Sequence, residues 1–573
     1  MVEFDGDYFL VKVHGVQRAN IQIIANNSKR SSMYSAKEGM WYIAATKANA
    51  RALDELGLDF APSAMHFLDS KKKEDSYNSY VTPVFDYSIL AKDLYPFQKE
   101  GVEWLHSPGN KLLSDSMGLG KTIQVAALFR YAPELLPALV VCPASLKLNW
   151  QREIEALSGV KAQVIYGRTP YEIKGLLEKY PVVITNYDIL GIEDKEAKKI
   201  EEERIAELKA ANKPYRKKEV EVNGWCDVFS ELPFNSIIAD EVQFIAEPSN
   251  IRTRALSKIC KNRSSAKRIF LSGTPYENRT SQFFTCLNLI APIVFPNRWR
   301  FLMNFCDPKK DRWGWKFDGL TNGKQLHNLV KPLMLRRLKE DVLTQLPPKQ
   351  KFVVPMELNQ NYLKDYRAAE DTFTRGLETG VHKSFSEMKV EAYKAKRDAV
   401  IQWIKDYLNT ATNKKLVVFF WHKKVLDDLK NEFDYCSVSL SGSTPQTQRQ
   451  KVVDQFQTDP KVFLFLGQLE ASGVGITLTA AAATCFVEFG ESAGQHAQGE
   501  DRVHRITQKA DSVFAYYLIA PDTIEEDIMD TLTTRNKNQK TVLDGKEDEA
   551  FFGETIEDFK SGILAAYKRR KCL

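Results

Sequence analysis

Short apolar runs separated by stretches of helical length recur through most of the chain. Leu112 and Leu113, LVVCP (139–143), VVIT (182–185), SIIAD (236–240) and RIFLSGTP (268–275) are rich in β-branched and aromatic residues. A run that is apolar at successive positions is buried on both faces, as in a parallel sheet covered by helices on either side. The breaking pair Pro347 and Pro348 and an amphipathic helical region from about Leu358 to Tyr407 interrupt the series. LVVFF (416–420), SVSLSG, VFLFL and CFVEF then start it again. The pattern predicts an α/β chain with two parallel-sheet lobes, over residues 81–346 and 347–540, and a tail over 541–573. Ahead of them, YFLVKV and IQIIA alternate like strands, and Thr46 to Leu56 reads as a helix closed by Gly57. Residues 1–80 are therefore expected to form a small α+β module ending in a polar linker, Asp69 to Ser79, with three successive lysines. Residues 191–222 break the first lobe with a charged helical stretch that lacks an apolar stripe wide enough for a core, so it is expected to project into solvent.

Polar residues at the ends of these runs carry the candidate chemistry. After Leu113 comes SDSMGLGKT (114–122), a glycine turn entering the helix-like stretch Thr122 to Tyr131. Such a turn leaves successive backbone N–H groups free to wrap phosphate oxygens, while the lysine supplies charge and the threonine hydroxyl completes a magnesium shell. It departs from the generic phosphate-loop pattern at Asp115, where the first glycine is expected. Upstream, LYPFQKEGVEWL (94–105) places Gln98 on a helix, where its amide can read an adenine edge through two hydrogen bonds. SIIAD ends in the adjacent carboxylates Asp240 and Glu241. At the carboxyl edge of a parallel strand such a pair can divide labour, one acid holding hydrated magnesium and the other orienting or deprotonating the attacking water. QGEDRVHRITQ (498–508) sets Arg502 and Arg505 three residues apart, expected on one helical face, suited to clamping an oxyanion from across a cleft.

Bulk composition changes this picture little. At 573 residues the chain exceeds what one core organises, and 43% hydrophobic with 27% charged residues describes an ordinary globular protein. A formal net charge of +6 suits a polyanion without demonstrating one. Eight cysteines without CxxC pairs indicate neither a zinc site nor a disulfide framework, so free thiols in a reducing compartment are expected. No 18-residue apolar run occurs, and the N-terminus carries acids where a signal peptide carries bases. The expectation is a monomer with no membrane contact, cytoplasmic, or nuclear in a eukaryotic host.

The blocks DSMGLGKT, VVCPASLKLNW, ITNYDIL, ADEVQ, LSGTPYEN, MLRRLKEDVLTQLP, SGSTPQTQR, ASGVGITLTAA and QGEDRVHRITQ, in this order, resemble the Swi/Snf-type ATPases of helicase superfamily 2, from Leu94 to about Leu543. FCDPKKDRWGWKFDGLTNGKQLHNL and EDRVHRITQ are most similar to the annealing-helicase branch, and SKRSSMYSAKEGMWYIAATKANARALDELGL is more loosely similar to its HARP domain. The resemblance implies two RecA-like lobes with ATP between them. Gly118, Leu119, Gly120, Lys121 and Thr122 would then hold phosphates and magnesium, Asp240 magnesium, and Gln98 adenine. Glu241 would activate water, and Arg502 and Arg505 would be fingers from the second lobe. Lys147, Asn186, Lys423 and Thr477 are the implied nucleic-acid contacts.

The implied activity is that of a DNA-stimulated ATPase that translocates on duplex or branched DNA and remodels it. Protein partners would meet the N-terminal module or the 191–222 insertion. Three residues depart from the family pattern: Ser116 for glutamate, Gln243 for histidine, and Thr507 for the glycine before Gln508. Gln243 is expected to hydrogen-bond across the cleft and alter the coupling of ATP to DNA. An RNA or DNA strand-unwinding helicase is the alternative enzyme, and a non-hydrolysing clamp the alternative of another class. Trp313 and Trp315 are suited to stacking on bases at a fork, but are expected to pack the first lobe's helical extension.

Overall fold

In the computed structural model, residues 85–545 are described apart from 174, 194, 212–219, 312–313, 344–345, 380–384, 470–475, 491 and 506; before them, residues 2–4, 8–12, 21, 33–35, 40–45, 49–50 and 53 are described. The linker 69–79, Trp313 and the tail beyond Gly545 lie outside the described residues.

The first lobe is built on a seven-stranded parallel sheet. Its central strands are Lys111–Leu113, Lys267–Leu271, Ser236–Asp240 and Ala138–Cys142, in that spatial order. Met334–Leu335 lies outside Lys111–Leu113, while Val182–Asn186 and then Ala162–Val164 complete the other side. Strand alternation feeds two cores. Leu139, Val141, Ile237 and Ala239 face one helical layer, and Ala138, Val140, Cys142 and Ile238 face the other. This is why the runs are apolar at every position.

The second lobe repeats the plan with six parallel strands. Lys349–Pro355, Val513–Ile519, Ala483–Phe486, Leu416–Phe420, Leu464–Gln468 and Ser437–Leu440 follow in spatial order. Val417 and Phe419 enter one core, and Leu416, Val418 and Phe420 the other. Two parallel-sheet α/β lobes are thus the observed fold.

Helix Ile524–Asp544 starts in the second lobe and ends in the first, with Val542 and Leu543 buried in the first lobe's core. Arg535 Nη1 donates to Asn278 Oδ1 at 3.1 Å, and His327 Nδ1 lies 2.9 Å from the Val542 carbonyl. Residues 541–544 therefore continue a helix that ties the lobes together.

The insertion is a helix, Lys195–Ala210, hung from a two-stranded ribbon of Ile192–Glu193 and Val222–Asn223. Most of its described side chains are exposed. Near the N-terminus, antiparallel strands Val2–Phe4, Tyr8–Val11, Met40–Ala44 and Met33–Ser35 pair in that order. Of IQIIA only Ile21 is described, and it is helical and buried rather than in a strand. A short apolar run fits either period, and packing decides between them. The seven described cysteines are buried free thiols, and no described helix is long and apolar enough to cross a membrane.

One core histidine makes the second lobe acid-sensitive. His496 is packed among Phe486, Phe489 and Tyr517, with Nδ1 2.9 Å from the Ser492 carbonyl. Burial lowers its pKa from 6.5 to about 4. The unfolded chain therefore binds the extra proton between those values, so its contribution to stability is complete above pH 6.5 and disappears as the pH falls toward 4. The loss amounts to about 3 kcal/mol. Thermal unfolding midpoints measured from pH 7 to 4.5 should fall less steeply in His496→Asn than in the parent; equal slopes would remove His496 from the account.

Candidate active site at the seam between the lobes

Three neighbouring strands of the first sheet end side by side, so the loops after Leu113, Asp240 and Leu271 meet at its carboxyl edge. The first is the glycine loop. Gly118 and Gly120 have φ of +83° and +78°, a left-handed backbone that side chains resist, and a Cβ on Gly120 would stand 2.5 Å from Gln98 Nε2. Helix Lys121–Tyr131 starts directly after it, with Thr122 in its first turn. The nearly buried Lys121 gives its Nζ to the Asp115 carbonyl at 2.8 Å.

Asp115, unexplained by the phosphate-loop pattern, is the loop's anchor. Its fully buried carboxylate accepts from Arg337 Nε at 2.9 Å, Arg337 Nη2 at 2.6 Å and Gln124 Nε2 at 3.0 Å. Arg337 also holds the Phe97 carbonyl. Its neighbour Arg336 donates to the Ser114 and Gly273 carbonyls at 3.0 and 2.9 Å and pairs with Asp544 on the crossing helix. Gln98 closes the loop from the other side, accepting the Tyr95 N–H at 3.0 Å and donating to the Leu119 carbonyl at 3.1 Å. One amide N–H and one lone pair remain available for a base. Ser116 contributes its backbone N–H to the Arg337 carbonyl.

The second loop carries the acids. Asp240 accepts Trp150 Nε1–H at 2.8 Å and the Glu241 N–H at 3.0 Å, and Tyr187 donates to its carbonyl at 2.7 Å. Burial, with the Glu241 charge beside it, drives the Asp240 carboxyl above the usual carboxylate range. A buried oxygen donor that resists carrying its charge fits a divalent cation, and the Thr122 hydroxyl is of the hard donor type magnesium takes. Glu241 has φ +55° and is bound through Oε2 to Gln243 Nε2 at 2.9 Å. Gln243 Oε1 in turn accepts from Ser272 Oγ at 2.6 Å. Gln243 thus links two loops of its own lobe and does not reach across the cleft. Its amide has a donor end for Glu241 and an acceptor end for Ser272, and both partners lie on adjacent strand ends.

The second lobe brings the cations. Helix Ala493–Glu500 ends before the arginines, so Arg502 and Arg505 sit in the turn that follows and do not share a helical face. The turn forms because Arg502 N–H bonds the Gly499 carbonyl and Leu478 N–H bonds that of Arg502. Arg502 is buried, and burial and the Arg505 charge lower its pKa to about 9, partly offset by Asp501 and by Glu241 of the other lobe. Arg505 donates to Thr477 Oγ1 at 2.7 Å. Gly494 of the same helix stands against Thr274 of the first lobe's third loop.

A further cation bridges the seam. Lys339, buried behind Gly118, reaches Asp501 Oδ2 at 2.8 Å and the His504 carbonyl at 3.0 Å. Burial lowers its pKa to about 8. Lys349 pairs with Glu500 and Asp501 at 2.8 and 3.2 Å.

The implied nucleic-acid residues do not form one group. Lys147 and Asn186 are buried and joined at 3.0 Å, and Thr477 belongs to the seam with Arg505. Lys423 is exposed at the start of helix Lys423–Phe433. Thr507 lies 3.3 Å from Thr479, hydroxyl to hydroxyl. Sequence reasoning assigned no role to Trp150, Arg336, Arg337, Lys339 or Asp501. All five lie inside the quoted blocks, and the uncompensated Asp115 was the signal that a basic partner was needed.

A glycine loop and paired acids on one parallel sheet, faced by the buried Arg502 and half-buried Arg505 of a second lobe, define a two-lobed P-loop ATPase. Residues 97–416 match the SNF2-related domain, and residues 396–507 match the helicase conserved C-terminal domain. The chain belongs to the SNF2-related family of superfamily 2 ATPases and is an ATP-hydrolysing enzyme. It is 29% identical over 542 residues to the SWI/SNF-related matrix-associated actin-dependent regulator of chromatin subfamily A-like protein 1 homolog of Caenorhabditis elegans, which covers 91% of this chain and 72% of that protein. The similarly named protein of Xenopus tropicalis is 30% identical over 82% of this chain and 47% of its own length. The DNA annealing helicase and endonuclease ZRANB3 of Bos taurus is 30% identical over 80% of this chain and 41% of its own length. The chain thus spans under half the length of these last two.

Removing the Arg337 side chain would leave the buried Asp115 carboxylate without a countercharge, held only by the Gln124 amide and the backbone N–H of residue 337. Arg337→Ala should lower stability by about 3–5 kcal/mol in denaturant unfolding. A loss below about 1 kcal/mol, the size of a surface pair, would mean that this contact does not anchor the loop.

Proposed function

We propose that the chain is a DNA-dependent ATPase that translocates on double-stranded or branched DNA and remodels it by opening and closing its two lobes. The observation that carries this reading is the division of charge at the seam: Lys121, Asp240 and Glu241 belong to one lobe, and Arg502 and Arg505 belong to the other, which Lys339 joins to the first through Asp501 at 2.8 Å. Relatives named as a DNA annealing helicase and as chromatin regulators support DNA as the polymer.

In this reading the loop amides between Gly118 and Thr122 and the Lys121 ammonium hold the triphosphate, and Gln98 meets the adenine. Asp240 and Thr122 would hold a magnesium ion, which neutralises charge on the phosphate oxygens. Glu241 orients a water for in-line attack on the terminal phosphorus and takes its proton as ADP leaves. Gln243 and Ser272 fix the rotamer of Glu241 and connect it to the loop that touches Gly494. Arg502 and Arg505 balance the transition-state charge only when the lobes are together, so closure gates cleavage. A DNA backbone gripped by both lobes is then moved as the seam opens and shuts. The N-terminal module and the 191–222 insertion are surfaces for protein partners, and the chain works as a monomer in the cytoplasm, or in the nucleus of a eukaryotic host.

Glu241→Gln should abolish turnover while leaving ATP binding in place, and Lys121→Ala should lose both. Arg502→Ala should lower kcat by ~10³ or more. Turnover in the parent should rise with duplex or forked DNA, and a response to RNA alone would instead favour the RNA helicase reading. Undetectable turnover with every polynucleotide would favour the non-hydrolysing clamp. Backbone tracking through about six phosphate contacts predicts an affinity loss of ~10³ between about 50 and 200 mM salt; a flat salt profile would contradict it.

A further inference from the structure

The first lobe carries an extension between strands Lys267–Leu271 and Met334–Leu335 that the ATP chemistry does not use. Within it, helix Arg298–Phe305 buries Phe301, Leu302 and Phe305 in the core. Its first turn, Arg298, Trp299 and Arg300, stands in solvent, with Trp299 50% exposed. An antiparallel ribbon of Pro308–Asp311 and Gly314–Phe317 follows. Strand alternation puts Trp315 and Phe317 on one face of that ribbon. Trp299 meets both edge-on, at centroid distances of 6.0 and 5.4 Å, while the rings of Trp315 and Phe317 are nearly parallel. Trp315 packs on the extension through these two rings, as expected, yet remains 41% exposed. The Lys310 ammonium, opposite Trp315 in the ribbon, lies 5.9 Å from its ring.

Two tryptophans that retain this much water contact, held against each other by defined ring geometry, form a built aromatic surface. Its surroundings are cationic. Arg298 and Arg300 flank Trp299 in the exposed first turn and Lys310 lies over Trp315, whereas Asp307 is paired with Lys309 at 3.0 Å and Asp318 with Arg279 at 2.9 Å. Flat apolar faces among basic side chains complement a chain of planar bases on a phosphate backbone, and only unpaired bases expose their faces. The same extension includes helix Gly323–Val330, whose His327 meets the crossing helix at Val542. A strand held here is therefore attached to the same extension that meets the element joining the lobes.

We propose that Trp299 and Trp315, with Lys310 over the second ring and Arg298 and Arg300 flanking the first in the chain, are a stacking site for unpaired DNA bases, by which this chain holds the single-stranded arm of a forked DNA apart from its duplex track. This rests on the DNA reading of the preceding subsection. The test uses the full chain and two fluorescent probes at one salt concentration, a blunt duplex and the same duplex with unpaired arms. Binding is followed by anisotropy, and ATP turnover with the blunt duplex is measured in parallel. The parent should bind the fork more tightly than the duplex. Trp299→Ala with Trp315→Ala should weaken fork binding about tenfold while duplex affinity and duplex-stimulated turnover stay within about twofold. The paired change to Phe, which retains an aromatic face, should preserve most of the preference and guards against misfolding of the alanine variant. Unchanged affinity for both probes in the alanine variant, or equal weakening on both, would overturn the proposal; the first outcome assigns the patch to a protein partner, and the second to the duplex track. A parent that binds neither probe would instead defeat the DNA reading itself.

Discussion

The active seam depends on a buried ion pair. Asp115 stands where a phosphate loop ordinarily turns on glycine, and its carboxylate would be untenable in that interior without Arg337. The two-pronged contact, with Gln124 on the remaining oxygen lone pair, locks the end of one strand, the loop and the following helix into one unit. Because Arg337 comes from the last segment of the first lobe, the loop acquires its shape only when that lobe is complete. Arg336 next to it reaches the third loop and the crossing helix, so the geometry of the phosphate site and the attachment of the second lobe share one dipeptide.

Electrostatics then explain why the site is split. Asp240 and Glu241 are adjacent and buried, and the penalty of charging Asp240 falls as cations approach. Arg502 and Arg505 carry the opposite burden: burial makes both easier to deprotonate than an exposed arginine, and at Arg502 the Arg505 charge adds to it. The acids are relieved by cations, and the arginines by acids or by phosphate. Lys339 and Lys349 hold Glu500 and Asp501 close behind the arginines, with both carboxyls below their ordinary range despite burial. The arginine turn is thereby fixed to the segment leaving the phosphate lobe.

Much of this architecture was legible in the sequence because it is written in local patterns. Doubly apolar runs announced the two parallel sheets, and Gly118 to Thr122 and the acids after SIIAD announced the phosphate chemistry. What escaped depends on contacts between distant segments. Arg337 is separated from Asp115 by 222 positions, and nothing local marks it as the carboxylate's partner. The arginine pair was placed on a helix because its spacing permits one, yet the helix yields to a turn at Glu500. Gln243 was expected to cross the cleft, but Ser272 on a neighbouring strand end satisfies it first. Trp315 illustrates the reverse: its residue type argues for burial, and only its ribbon partner reveals an outward face.

The central claim is that nucleotide is read by bringing the two lobes together through Arg502 and Arg505. Energy transfer between fluorophores at exposed Glu134 on the first lobe and exposed Tyr435 on the second reports that closure directly. With duplex DNA present, a non-hydrolysable ATP analogue should change the transfer efficiency in the parent and leave it unchanged when both arginines are alanine. An efficiency that ignores nucleotide in the parent, or responds equally without the arginines, would contradict the account.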